Sequence, residues 1–146
     1  MSWVAIVLVV APFAAIAAIS RNERRRSALR SETIELRADE LGVRRVLADG
    51  REEQVDWGEV NEVEVVRASR GAHAAYGGVL VLGATETRGC LIPLDRLDET
   101  GIRDALVRLL PGFDRAAFDA ALRKPPPSRT SCWVRPGTRD EVSSGA

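Results

Sequence analysis

The sequence predicts an N-terminal transmembrane α-helix followed by an α+β domain: an antiparallel β-barrel or sandwich with C-terminal helices. Three observations carry this prediction. Residues 1–20 (MSWVAIVLVVAPFAAIAAIS) contain no charged side chain. From Thr33 onward, short runs alternate apolar and polar residues with turn residues between them. From Ile102 the apolar spacing changes to that of a helix.

The apolar stretch Trp3–Ile19 is 17 residues long. At helical rise this spans about 26 Å, slightly less than a hydrocarbon core. Trp3 suits an interfacial position, and arginines after Ser20 can snorkel to the headgroups. Residues 21–30 (RNERRRSALR) hold five Arg against one Glu. A cleaved signal peptide would need its basic residues before the apolar run, whereas here they follow it. A buried core helix is disfavoured by the length of the segment and its missing polar face. By the positive-inside rule, Arg21, Arg24, Arg25, Arg26 and Arg30 keep the C-terminal side in the cytoplasm. The expected organisation is an anchor at 1–20, a basic juxtamembrane linker at 21–32, a soluble domain at 33–135 and a disordered tail at 136–146. The expected location is the plasma membrane, single-pass, with the N-terminus outside. The same arginines are the candidate contact for anionic lipid headgroups.

Beyond Arg30 the chain carries 16 basic and 20 acidic residues, so its net charge is −4. An acidic domain is a poor fit to nucleic acid, whose affinity is dominated by phosphate contacts. Two cysteines, Cys90 and Cys132, make no disulfide scaffold and read as buried free thiols among apolar neighbours, with a bridge between two strands as the alternative. Twenty Arg against one Lys, with abundant Ala, point to a G+C-rich bacterial genome.

Within the domain, Thr33–Ala38 (TIELRA) and Gly42–Ala48 (GVRRVLA) read as strands. Asp49-Gly50 is a hairpin signal, followed by Glu53–Trp57 (EQVDW). Val60–Arg67 (VNEVEVVR) places Val63 and Val65 on one face and Glu62 and Glu64 on the other, as in a sheet with one wet side. Residues 68–77 (ASRGAHAAYG) read as an exposed loop. Gly78–Gly83 (GVLVLG) is apolar on both faces, and Cys90–Leu94 (CLIPL) is the next strand. Ile102, Leu106, Leu109 and Leu110 form a helical stripe, with Asp98 or Thr100 as its cap and Pro111-Gly112 as its stop. Asp114 reads as the N-cap of a second helix whose inner face is Ala117, Phe118, Ala121 and Leu122. Pro125-Pro126-Pro127 ends that helix, and Thr130–Arg135 (TSCWVR) reads as a last strand.

Val55–Val65 (VDWGEVNEVEV), Gly89–Pro93 (GCLIP) and Leu109–Phe118 (LLPGFDRAAF), behind a membrane anchor, resemble the bacterial pleckstrin-homology-like domains found in small membrane proteins of high-G+C bacteria. The resemblance covers roughly residues 33–135. It implies a twisted two-sheet barrel capped by a helix, acting as a binding or assembly module, and it supplies no catalytic residues.

The sequence holds no cofactor motif. His73 is the only histidine, and one imidazole does not make a zinc site. The glycines Gly71, Gly77 and Gly78 lack the following Lys and helix of a phosphate loop. Trp57 and Trp133 read as packing residues. The candidate partner-binding loop is marked by Arg67, Arg70, His73 and Tyr76. The leading expectation is a non-enzymatic, membrane-tethered module whose partner is another membrane or membrane-associated protein. The alternatives are a small hydrolase working through carboxylates such as Asp56 and Glu59, and an exported envelope protein.

Overall fold

A computed structural model of the chain describes residues 32–71, 73–85 and 87–137. The chain divides into two units, residues 1–32 and residues 33–146, and the fold below is that of the second. The anchor at 1–20, the arginines 21, 24, 25, 26 and 30, and the tail from 138 lie outside the described residues.

The domain is α+β. Strands β1 (Thr33–Ala38), β2 (Gly42–Leu47) and β3 (Glu52–Asp56) form an antiparallel sheet in the order β1-β2-β3. Strands β4 (Glu62–Arg67), β5 (Gly78–Gly83), β6 (Gly89–Pro93) and β7 (Ser128–Val134) form a second, in the order β6-β5-β4-β7. All five pairings are antiparallel. Helices α1 (Ile102–Leu109) and α2 (Arg115–Arg123) separate β6 from β7. None of the described helices is long and apolar enough to cross a membrane.

Period-two patterning decides which faces are buried. On the first sheet, Leu36, Val43, Leu47, Val55 and Trp57 turn inward. On the second, Val63, Val65, Leu80, Leu82, Cys90 and Ile92 do so. The helices bring Ile102, Leu106, Leu110, Phe118 and Ala121 into the same core. Fully burying each large side chain contributes on the order of 1.5–3 kcal/mol.

Several expectations are corrected in detail. The barrel does not close: β3 and β6 are both edge strands, with no ladder between them. The wet face of β4 is only half wet, because Glu64 is 8% exposed and pairs with Arg129 at 2.7 Å. β4 is the second strand from an edge and has a neighbour on each side, so its outer face is covered by Arg129 reaching over from β7. The cap of α1 is neither Asp98 nor Thr100. A 3-10 turn, Leu94–Glu99, leads into it, and Gly101 with φ of 68° stands at the N-cap. Asp114 does cap α2, its carboxylate accepting from the Ala117 amide at 3.1 Å. Ala117 itself is exposed, leaving Phe118, Ala121 and Leu122 as the packed face.

Candidate functional site

Two places combine polar chemistry with access. The first is the end of the second sheet where the loop from β4 to β5 meets the start of β7 and the end of α2. Arg67 is the last residue of β4 and sits opposite both Gly78 and Ser128. Its Nη1 donates to the carbonyl of Leu122 at 2.7 Å, satisfying one of the carbonyls that the end of α2 leaves open. Its Nε and the Ser128 hydroxyl are buried without a hydrogen-bond partner among the described residues. The loop is folded back on itself. The His73 carbonyl accepts from the amides of Tyr76 (3.2 Å) and Gly78 (3.0 Å), and Ala74–Tyr76 form a 3-10 turn. Gly78 has φ of +130°, and a Cβ there would lie 2.0 Å from the Val66 carbonyl oxygen, so only glycine lets β5 start this close to β4.

Of the four loop residues singled out from the sequence, Arg70 is exposed, while Arg67, His73 and Tyr76 are half-buried. Arg67 thus ties the end of α2 to β4. The sequence missed the neighbours that the fold adds. Arg123 and Lys124 end α2, Lys124 donating to the Thr130 hydroxyl at 3.1 Å. Arg129 stands opposite Val66 and bonds Glu64, which raises its pKa through that hydrogen bond and charge. Arg70 and Arg123 carry no ion pair among the described residues. The end of the domain therefore gathers Arg67, Arg70, Arg123, Lys124 and Arg129 near three carboxylates: Glu62, which accepts from the Ser131 hydroxyl at 2.9 Å, Glu64, bonded to Arg129, and Asp119, held by Arg103. A chain whose domain is acidic overall has concentrated cations at one end.

The second place is the seam between the sheets. Arg45, on the inner face of β2, is 3% exposed. Its Nη1 donates to Glu53 Oε2 at 3.0 Å and its Nε to the Thr33 hydroxyl at 2.6 Å. The same Glu53 oxygen accepts from the Leu91 amide of β6 at 3.0 Å. A side-chain carboxylate of β3 thus takes an amide of β6 at a seam where no backbone ladder forms among the described residues. Further along, Arg88 of the β5–β6 turn bonds Glu59 at 2.9 Å. Two shallow clefts flank this seam. One of about 530 Å³ is lined by Glu52, Gln54, Asp56, Thr87 and Gly89 among others, and one of about 260 Å³ reaches Cys90. A third, of about 590 Å³, lies over the outer face of the first sheet beside Leu41 and Gly42. Asp56 is exposed in the seam cleft, while Glu59 is engaged by Arg88.

The remaining candidates are placed by their partners. The indole N–H of Trp57 donates to the Asp39 carbonyl, and that of Trp133 to the Pro111 carbonyl, each at 2.8 Å. Both rings are buried packing residues with a satisfied polar edge. Cys90 and Cys132 are free thiols. Burial, helped by the negative charge of Glu53, pushes the Cys90 thiol up to about 12. Among the described residues no three His, Cys, Asp or Glu side chains are grouped to hold a metal ion.

No protein-family model matches this sequence, and no curated protein or solved structure is significantly similar to it.

Proposed function

We propose that this chain is a membrane-anchored, non-enzymatic binding or assembly module. In this reading a pleckstrin-homology-like domain stands at the cytoplasmic face of the plasma membrane and engages a membrane or membrane-associated protein. The observation that carries the reading is an open edge strand, β7, beginning beside the loop 68–77 and the cations around it. An open edge offers unpaired backbone groups to another chain, and the cations add charge selectivity. The clefts are shallow and open, which suits a contact surface rather than a pocket that encloses a small substrate. Two antiparallel sheets with helices between β6 and β7 are what supports this choice of domain type. The segment at 3–19 and the arginines after it support the anchor and its orientation. Tethering raises the local concentration of the domain at the bilayer, so a weak interface suffices.

Fusion reporters test the topology. With a C-terminal alkaline phosphatase in one strain and a fluorescent protein in another, the expected result is inactive phosphatase and a bright fluorophore. Photo-crosslinking from several positions around the domain in native membranes, followed by mass spectrometry, tests the binding role. A partner recovered reproducibly from one surface is expected. Crosslinks to nothing from any surface would refute it.

A further inference from the structure

β7 has β4 on one side, and among the described residues no backbone hydrogen bond reaches its other edge. In an antiparallel strand, alternate residues turn their N–H and C=O away from the paired neighbour. The stretch Ser128–Ser131 keeps regular register with Arg67–Glu64. The register then slips, leaving Cys132 as an extra residue before Trp133. The regular stretch is polar throughout (SRTS), and Arg129 and Ser131 are exposed. Just before it in the chain stand Arg123 and Lys124, the latter held against β7 by its bond to Thr130. Arg70 lies in the loop that follows Arg67, the residue paired with Ser128.

We infer that Ser128–Ser131 takes up an extended, acidic segment of a partner protein as an added strand, the carboxylates of that segment facing Arg123, Lys124 and Arg70. The inference rests on the binding-module reading and gives it a partner class. Two features decide the occupant. Unpaired strand groups spaced along an edge are matched by another peptide backbone, and neither a lipid headgroup nor a nucleic acid presents that ladder. The surrounding cations then favour carboxylates over a basic or neutral segment. The bulge at Cys132 limits the added ladder to about four residues, which keeps the contact weak and reversible.

The test uses the full, isotope-labelled chain in nanodiscs of zwitterionic lipid and three synthetic octapeptides. One alternates glutamate and valine, one alternates lysine and valine, and one is the glutamate peptide with alternate amides N-methylated. The glutamate peptide should shift the amide resonances of residues 128–131 with a Kd of about 0.1–1 mM. The lysine and N-methylated peptides should not. R123E/K124E, which alters two exposed side chains, should weaken binding about fivefold or more, as expected for losing two surface pairs. Shifts at β7 from the N-methylated peptide equal to those from the parent would show charge attraction without strand addition and overturn the proposal. So would silence at 128–131 with all peptides, or shifts there only when anionic lipid replaces the zwitterionic one. If the peptides fail while crosslinks from another surface capture a partner, the strand-addition site is lost and the binding module stands.

Discussion

Arg45 is the least expected residue of the core. A guanidinium out of water is tolerated only when its donors are matched, and here Glu53 and Thr33 match them from the two neighbouring strands. Glu53→Ala removes the counter-charge and also orphans the Leu91 amide, so a loss of about 3–5 kcal/mol is expected. Glu53→Gln keeps an acceptor for both and should lose less. Urea unfolding of the full chain in neutral detergent, followed by tryptophan fluorescence, ranks the two; equal losses would show that the carboxylate does not bridge. The Cys90 thiol, pushed up to about 12, has almost no thiolate at neutral pH. Thiol reagents should therefore leave Cys90 untouched in the folded protein. A raised thiol pKa means the folded state holds its proton more tightly than the unfolded chain. This contribution to stability is complete below pH 9 and falls between about pH 9 and 12. At the acid end the sign is opposite. The Arg44 hydrogen bond and charge lower the pKa of Glu52, and the Arg51 amide lowers that of Asp49. What those two contribute is present above the carboxylate range and is lost as pH falls through it. A pH series of unfolding midpoints checks both limbs.

Among the elements, those written by local chemistry were legible. The Asp49-Gly50 turn, the Asp114 cap and the strand boundaries at Thr33–Ala38 and Gly78–Gly83 each depend on a few adjacent residues. The inward arginine was half legible. GVRRVL alternates, so one of its two arginines must face the core whichever register is chosen. Its partner was not. A two-residue Asp-Gly turn would set Gln54 opposite Arg45, but the loop has three residues, closed by Leu47–Arg51 and Gly50–Leu47 hydrogen bonds with Gly50 at φ of 85°. That one extra residue shifts the pairing and brings Glu53 to Arg45. The cation cluster was hidden for another reason: Arg67 and Arg129 are 62 positions apart, and only the β4–β7 pairing joins them. At this scale, Gly78→Ala should be severe, because the new Cβ meets the Val66 carbonyl at a φ unfavourable to other residues. Gly58→Ala meets open space and serves as the control, with an unchanged thermal midpoint expected.

For the whole molecule, the charge asymmetry of the sequence is what the proposed topology rests on. Arg21, Arg24, Arg25 and Arg26 follow the apolar segment, and no basic side chain precedes it. In the proposed topology, insertion and orientation depend on the same residues. Replacing all four by Gln is expected to scramble reporter orientation and reduce membrane recovery together; unchanged values for both would show that the cluster has no such role. The outline of two sheets and closing helices was legible because periodicity and turn chemistry are local. The failure of the sheets to close was not, since it depends on strands far apart in the chain: among the described residues no ladder joins β3 to β6 or β1 to β7.

The position of β7 in the chain has a consequence for synthesis. Its partner β4 is made first, and Ser128 emerges 61 residues after Arg67. At about 5–20 residues per second that gap lasts roughly 3–12 s. β5 and β6 are made during that interval, so every other described strand precedes β7, and the edge that β7 will cover stands open on the nascent chain until Ser128–Val134 is made. β7 then closes that edge and presents its own. A stop before Ser128 would leave β4 uncovered for good and the core without Trp133, so ribosome-stalled fragments of this length should be the aggregation-prone and chaperone-bound species in the protein's life history.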